Sequence, residues 1–395
     1  MSAVSTQPLR DLCTFRHGGT PSKSNASFWE GDIPWVSPKD MKQAVIDSAT
    51  DHISAEAIEK SATSIVPPGS ILLVVRSGIL AHSFPIAQVA KPVAFNQDIK
   101  AVTPISGDVV PDYLYWFLRS QSMNVVTRGV KKGATVHSVQ SGFIESLMVP
   151  MHPREEQHRI VDLLARAEGI VRLRREARQK AAELIPAIFI DMFGDPAMNP
   201  KELPLRSVRE LVARFEGGKN LQAGSDGGTD FRILKVSAVT SGEYVETESK
   251  PTPNGYEPPQ NHVVREGDML FSRANTEELV GATAVVRATN GRTLLPDKLW
   301  RFVWAEPVEQ AFMHALFQSA QVRQDLGKLS SGTSASMRNI SQAKLFELRL
   351  PIPSLHQQRV FARRADAAQS IRSQQEVALA RATATFDALL SRAFG

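Results

Sequence analysis

Two halves of this 395-residue chain repeat one another at a separation that first drifts and then locks. Pro8-Leu9-Arg10 returns as Pro204-Leu205-Arg206, 196 residues on, and Gly69-Ser70-Ile71-Leu72 returns as Gly267-Asp268-Met269-Leu270, 198 on. Gly133-Ala134-Thr135 matches Gly332-Thr333-Ser334 at 199, and Val149-Pro150 matches Leu350-Pro351 at 201. From there the offset is constant: Gln157 and Gln358, Ala167 and Ala368, Ile170 and Ile371, Ala177 and Ala378, Ala187 and Ala388, and Phe193-Gly194 and Phe394-Gly395 all lie 201 apart. Loops absorb single insertions, whereas one inserted residue in a long helix turns its whole apolar face by about 100°. A drifting stretch therefore reads as a globular domain and a locked stretch as a rigid helix, each twice.

The helices can be checked residue by residue. Arg154 to Met192 contains only Gly169 and Pro186 as breakers and is bounded by Pro153 before and by Gly194 and Pro196 after. Its heptad positions hold Ile160, Leu163, Ala167, Ile170, Ala177, Ala181, Leu184 and Ile188, interrupted by Arg174; the second stripe holds Phe361, Ala368, Ile371, Ala378, Ala382 and Leu389. Two such stripes pack most simply on each other as a coiled coil; the alternative is two surface helices, each lying on its own domain. A helix of about 39 residues spans roughly 58 Å and outruns a domain of this size. With a globular domain between them, an antiparallel pair implies a pseudo-twofold repeat. The expected boundaries are a first domain at 1–153, a long helix at 154–194, a linker at 195–203, a second domain at 204–353 and a C-terminal long helix at 354–395.

Within each domain strands and helices mix, which gives a mixed α+β, broadly α/β, class. Ile71–Val75 and Trp300–Trp304 read as strands, the latter with Trp300, Phe302 and Trp304 on one face. Pro111-Asp112 opens an amphipathic helix with Leu114, Phe117 and Leu118, and Phe312, Ala315, Leu316 and Val322 mark its counterpart. The formal charge of +5 and the pI near 9.3 describe a mildly basic folded chain, not a polycationic arm. No apolar run reaches the ~18 residues of a membrane span, the N-terminus lacks a signal-peptide core, and the lone Cys13 permits no intrachain disulfide. The expectation is a cytoplasmic protein with Cys13 in a core.

Catalytic signatures are missing. The sequence has no phosphate loop, HExxH, GxSxG or kinase set. His152 and His158 are six apart and fall on different helix faces, Asp195-Pro196 continues as Ala197-Met198 instead of forming a methyltransferase loop, and Pro296-Asp297-Lys298 reads as a turn before the aromatic strand. A repeated protein without catalytic residues suits a binding scaffold with no metal site. Its basic residues cluster in matching places: Arg128, Lys131 and Lys132 with Gly133, Thr135, His137 and Ser138 in one half, and Lys328, Ser330, Ser331, Ser334, Ser336, Arg338 and Asn339 in the other. Hydroxyls, backbone amides and cations suit phosphates, and Arg, Asn, Gln and Lys read base edges; the bland reading is a solvated basic turn. Recurrence favours the binding reading. The run Arg172, Arg174, Arg175, Arg178 and Lys180 reads as a solvated or protein-facing helix surface.

Gly18-Gly19-Thr20-Pro21, followed by Phe28-Trp29-Glu30-Gly31-Asp32-Ile33-Pro34-Trp35 and Asp40-Met41, resembles the start of a target-recognition domain in specificity subunits of type I restriction-modification systems. Val149-Pro150 running into Pro153-Arg154-Glu155-Glu156-Gln157 resembles that family's entry into its long helix. The second half departs from the pattern, with Phe215-Glu216-Gly217-Gly218-Lys219 lacking the Thr-Pro and tryptophan elements and Leu355-His356-Gln357-Gln358 opening the second helix. The resemblance implies two target-recognition domains joined by two long antiparallel coiled-coil helices. It implies a non-catalytic subunit that binds a bipartite double-stranded DNA sequence, each domain reading one half. Its helices would space the domains and dock two modification subunits that carry S-adenosylmethionine and methylate adenine. Restriction subunits using ATP and Mg would join them in defence against foreign DNA, and this chain itself would hold no cofactor.

On that basis the expected DNA contacts are Lys23, Arg76, Asn96, Gln97, Lys100, Lys131, Lys132 and His137 in the first domain. In the second they are Lys219, Asn220, Arg273, Asn275, Lys298, Arg338 and Asn339. Each has an ordinary alternative: Arg76 and Arg273 as strand-end salt bridges, Asn96 and Gln97 as turn residues. Two other classes compete, a protein-interaction scaffold without sequence-specific DNA readout and a self-contained restriction-methyltransferase, the latter disfavoured by the missing methylation loop.

Overall fold

The computed structural model describes residues 4–133, 135–221, 230–334 and 337–395. It divides into two compact units, Met1–Arg175 with Ala378–Gly395, and Glu176–Val377. The two long helices run Arg154–Phe193 and Leu355–Phe394, 40 residues each. Each unit therefore holds one globular domain, part of the helix that follows it, and part of the other helix.

In the first unit a five-stranded sheet orders Cys13–His17, Ile99–Pro104, Ile71–Val74, Ile86–Val89 and Val45–Ile46, all antiparallel but the last pair. Ile71–Val74 is wholly buried because both of its faces are covered. Ile71 and Leu73 enter the core under the helix Pro111–Ser120, whereas Leu72 and Val74 enter a second core with Val36, Val89 and Phe95. The second unit repeats the scheme. Val212–Gly217, Leu299–Trp304, Met269–Ser272 and Thr283–Val285 form one sheet, with Met269 and Phe271 on the helix side and Leu270 on the other. Smaller sheets also match: Thr6–Pro8 with Met148–Pro150, and Leu205–Ser207 with Arg349–Pro351, close each domain end to end. The expected single counterpart helix around residues 312–322 is two, Gln310–Gln318 and Ala320–Leu329, broken where Ser319 adopts extended backbone and its hydroxyl donates to the Leu316 carbonyl at 2.7 Å.

The fixed offset of 201 has a physical cause at the helix starts. Gln157 is fully buried; its Oε1 accepts the Val110 N–H at 2.9 Å, and its Nε2 donates to the carbonyls of Asp108 and His152 at 2.8 and 2.9 Å. Gln358, also buried, accepts from the Glu309 N–H at 3.1 Å and donates to Pro353 O at 3.0 Å. One amide thus closes the backbone entering each domain helix and pins the first turn of each long helix. Gln157→Ala orphans a buried N–H and two carbonyls, and urea unfolding is expected to show a loss of roughly 1–3 kcal/mol.

The helix seam differs from the expected one at three positions. Leu163, Ile170 and Ile371 are 50, 53 and 44 % exposed, while the buried residues are Leu164, Val171, Ala181, Phe189 and Phe193 on the first helix and Phe361, Ala365, Ala368, Phe386 and Phe394 on the second. Ile160, Ala167, Ala177, Leu184, Ile188, Ala378, Ala382 and Leu389 are partly buried. The reason is a shared face. Leu164 and Val171 pack into the first domain's core together with Phe386 and Phe394 of the other helix, and Phe394 lies 5.1 and 5.9 Å from the rings of Tyr113 and Phe117. In the second unit Phe189, Phe193, Phe312 and Phe361 cluster with centroids 5.0–6.2 Å apart. Each helix buries a face pointing at both a domain and the other helix, not a two-helix seam alone.

Cys13 sits in the first core, where burial pushes its thiol up to about 12. Among the described residues no helix is long and apolar enough to cross a membrane.

Candidate nucleic-acid interface

Both basic clusters fold as the same device, a three-stranded sheet at the end of a central strand. In the first unit Arg76–Ser77 pairs with His137–Val139, which pairs with Val130–Lys131. In the second, Ala274–Asn275 pairs with Met337–Asn339, which pairs with Ser331–Ser334. Each hairpin needs a glycine at the same place. A side chain on Gly133 would run into the Val136 carbonyl, and one on Gly332 into that of Met337. Ala134 and Ser336, parts of these clusters, lie outside the described residues.

This sheet gathers Arg76, Lys131 and His137 in one unit and Asn275, Arg338 and Asn339 in the other. Arg76, Lys131 and Lys132 are exposed, and His137 Nδ1 accepts the Gly133 N–H at 3.2 Å. In the second unit Arg273 is already oriented. Its Nε donates to the Asp297 carbonyl at 2.7 Å, its Nη1 to Asn339 Oδ1 at 2.9 Å, and its guanidinium lies 5.5 Å from the Trp300 ring. Asn275 bonds Ser272 Oγ at 3.4 Å and the Thr276 N–H at 2.9 Å.

Arg76 and Arg273 each follow the matching apolar strands in sequence, but the backbone pairing does not align them. The Val139 N–H donates to Val75 O and the Ile340 N–H to Arg273 O, both at 2.8 Å, so Arg273 stands where Val75 does and Arg76 corresponds to Ala274. The two hairpins present different side chains: Arg76, Ser77, His137 and Ser138 against Ala274, Asn275, Arg338 and Asn339.

Two expected contacts are corrected. Lys100 is buried at 1 % exposure; its ammonium donates to Glu145 Oε1 at 3.1 Å and lies 5.3 Å from the Phe15 ring, so it holds the sheet together and cannot reach a duplex. Its structural counterpart is Trp300, packed between Phe215 and Phe271, so one half fills with aromatic rings what the other fills with an ion pair. Asn96 is also buried, its amide spent on Asp98 through bonds of 3.1 and 3.2 Å. Gln97 beside it is exposed and accepts from Thr20 Oγ1. Lys23, Lys219 and Asn220 are exposed on loops, and exposed Lys298 stands beside the hairpin, its carbonyl accepting the Arg273 N–H at 3.1 Å.

The glycine-tryptophan motif builds the platform beneath Gln97. A Cβ on Gly18 would collide with the backbone carbonyls of Phe95 and Asn96, and one on Gly31 with that of Ile53. Trp35 Nε1 donates to Gly19 O at 3.0 Å, and Trp29 packs edge-on against Trp35 at 5.1 Å. Gly218 is the matching residue, pressed against the Leu295 carbonyl although the rest of the motif is gone. Glu277 and Arg323, which line a cleft with Arg338 in the second unit, lie on a turn and a helix with no periodic or motif signal in the sequence.

Residues 1–183 match the model of the type I restriction modification DNA specificity domain. The chain is 36 % identical over 182 residues to the specificity subunit of the type I restriction enzyme EcoR124I/EcoR124II of Escherichia coli, an alignment covering 46 % of this chain and 45 % of that protein. It is 27 % identical over 191 residues to the MjaIX specificity subunit of Methanocaldococcus jannaschii, covering 47 % and 41 %. The chain thus aligns with somewhat under half the length of these relatives. In fold, all of it superposes on 97 % of the type I restriction-modification S subunit from M. genitalium at a TM-score of 0.56 and 12 % identity. It likewise covers 98 % of a chain solved in work on assembly and conformational transition of the type I R-M system, at a TM-score of 0.63 and 17 % identity.

Proposed function

We propose that this chain, whose residues 1–183 match the model of the type I restriction modification DNA specificity domain, is the non-catalytic specificity subunit of such a complex, each domain reading one half of a bipartite DNA target. The observation that carries this reading is the twofold recurrence of a glycine-dependent hairpin that projects polar and cationic side chains. Because the two hairpins present different residues at matching positions, the two half-sites differ. Phosphate contacts are assigned to Lys23, Lys131, Lys132, Lys219, Lys298 and Arg338, and base reading to Arg76, Gln97, His137, Asn275 and Asn339, with Arg273 orienting Asn339 and Asn220 beside Lys219.

The long helices act as spacer and as docking site for two modification subunits. Leu163, Ile170 and Leu173, each at least half exposed on the first helix, supply an apolar row that suits a protein partner. S-adenosylmethionine belongs to the modification subunits, and ATP and Mg to the restriction subunits. Selection from a random duplex library by this chain with a modification subunit is expected to return two unequal half-sites at fixed spacing. Deleting one matched heptad from both helices is expected to shorten the spacer and leave both half-sites unchanged. An unchanged spacer sinks the ruler, and selection of no duplex leaves a protein-interaction scaffold.

A further inference from the structure

Arg323 and Arg338 converge in the second unit on one cleft of about 580 Å³. Its walls are the helix Ala320–Leu329, the turn carrying Glu277 and Glu278, Ser330, and the hairpin strand Met337–Asn339. Arg323 Nη2 donates to the Glu278 carbonyl at 2.6 Å, leaving Nη1 buried without a partner among the described residues. Arg338 donates from Nη2 to Glu277 Oε1 at 3.3 Å and from Nη1 to Gly332 O at 3.4 Å, and its Nε is likewise buried and unpartnered. Buried guanidinium N–H groups are nearly always paired. Both orphans belong to arginines that line the cleft, and a tetrahedral oxyanion entering it offers several oxygens to two guanidinium forks at once.

We infer that this cleft binds a phosphate group, with Arg323 and Arg338 as donors and Lys328, now 3.0 Å from Asp325, as the outer charge. Glu277 is the competitor: its carboxylate holds Arg338 through a long bond and must swing away when the anion enters. The same chemistry has two sources, a backbone phosphate of the duplex beside the second half-site, or a free phosphate or phosphate ester. The first rests on the DNA reading of this chain; the second does not.

Two titrations of the full chain decide it. With inorganic phosphate against chloride at equal ionic strength, the wild type is expected to show a saturable rise in thermal midpoint. Arg323→Gln abolishes the rise, and Glu277→Gln reaches it at several-fold lower phosphate. With the duplex selected by the wild type, Arg323→Gln is expected to weaken binding and to lower the log–log salt slope by about 0.9, one phosphate contact, with base preference kept. A phosphate effect without a slope change assigns the cleft to a free phosphate. If Arg323→Gln misfolds, Glu277→Gln decides, because Glu277 is 55 % exposed at its side chain and the substitution keeps its size. Both variants matching the wild type in both titrations overturns the site. Selection of no duplex by the wild type defeats the DNA reading instead, and the phosphate titration alone then judges the cleft.

Discussion

Arg301→Met is expected to destabilise the second unit by about 3–5 kcal/mol, the cost of removing one partner from a buried ion network, read as a calorimetric midpoint roughly 10 °C lower. Arg301 is 5 % exposed in the middle of the strand Leu299–Trp304. It donates to Glu216 Oε2 at 2.6 and 3.2 Å, to Asp268 Oδ2 at 2.8 Å, and to the carbonyls of Asn261 and Val263 at 2.6 and 3.0 Å. Methionine fills much of the volume but leaves two mostly buried carboxylates short of a cation, Glu216 with Arg214 alone and Asp268 with the Arg265 N–H, and two carbonyls without their guanidinium donor. Exchanging all three charged groups, with Glu216→Gln and Asp268→Asn added, is expected to restore much of the loss, since the penalty belongs to the charges that lose Arg301. Position 101, the structural counterpart, is alanine, so the fold itself does not require the cation.

The same network sets an acid limit. Burial opposes ionisation of Glu216, but hydrogen bonds and charge from Arg301 and Arg214 outweigh it and hold its carboxyl below the usual range. A folded value below the unfolded one near about 4.3 means that this stability is fully present above that pH and lost as pH falls through the folded value. In Arg301→Met the larger lowering cause is gone and only Arg214 still holds the carboxyl down. The gap between variant and wild type is therefore expected to narrow as the solution is acidified.

Gly18→Ala is expected to lower stability by about 3 kcal/mol or more, at the top of the range for overpacking, because the new methyl meets the backbone carbonyls of Phe95 and Asn96, which cannot rotate aside. Gly218→Ala meets the Leu295 carbonyl and is expected to do the same in the second unit. Gly169→Ala is the control. It lies inside the first long helix with nothing within 4 Å of the added methyl, and is expected to gain roughly 0.5–1 kcal/mol through helix propensity. Denaturant midpoints that moved the same way for all three would contradict the packing argument.

The repeat, the two helices and the recurring basic clusters were legible in the sequence because each rests on local spacing. A fixed offset can come only from an insertion-free element, and Gly133 and Gly332 flag turns whose strands lie close by in the chain. The misread features depend on partners far away in sequence. Lys100 looks like a surface cation until the strand Ile99–Pro104 carries it inward onto Glu145, 45 residues on. Arg76 and Arg273 look equivalent because the arginines match, but backbone pairing differs by one residue, and in a strand a one-residue slip changes the face presented. Leu163 and Ile170 fit a heptad written for two helices; the buried face turned toward Leu164 and Val171 because the helix also covers a domain. The cleft between Arg323 and Arg338 had no sequence signal, since its donors become neighbours only once a helix and a hairpin meet.

The account stands on two unlike reading domains in one chain. Its most direct test is single-molecule sequencing of methylated adenines in cells carrying the modification subunit, with and without this gene. The account predicts one asymmetric bipartite motif, methylated only when the gene is present, whose second half alone changes in Asn275→Ala. A methylation pattern indifferent to the gene, or a single uninterrupted motif, would contradict it.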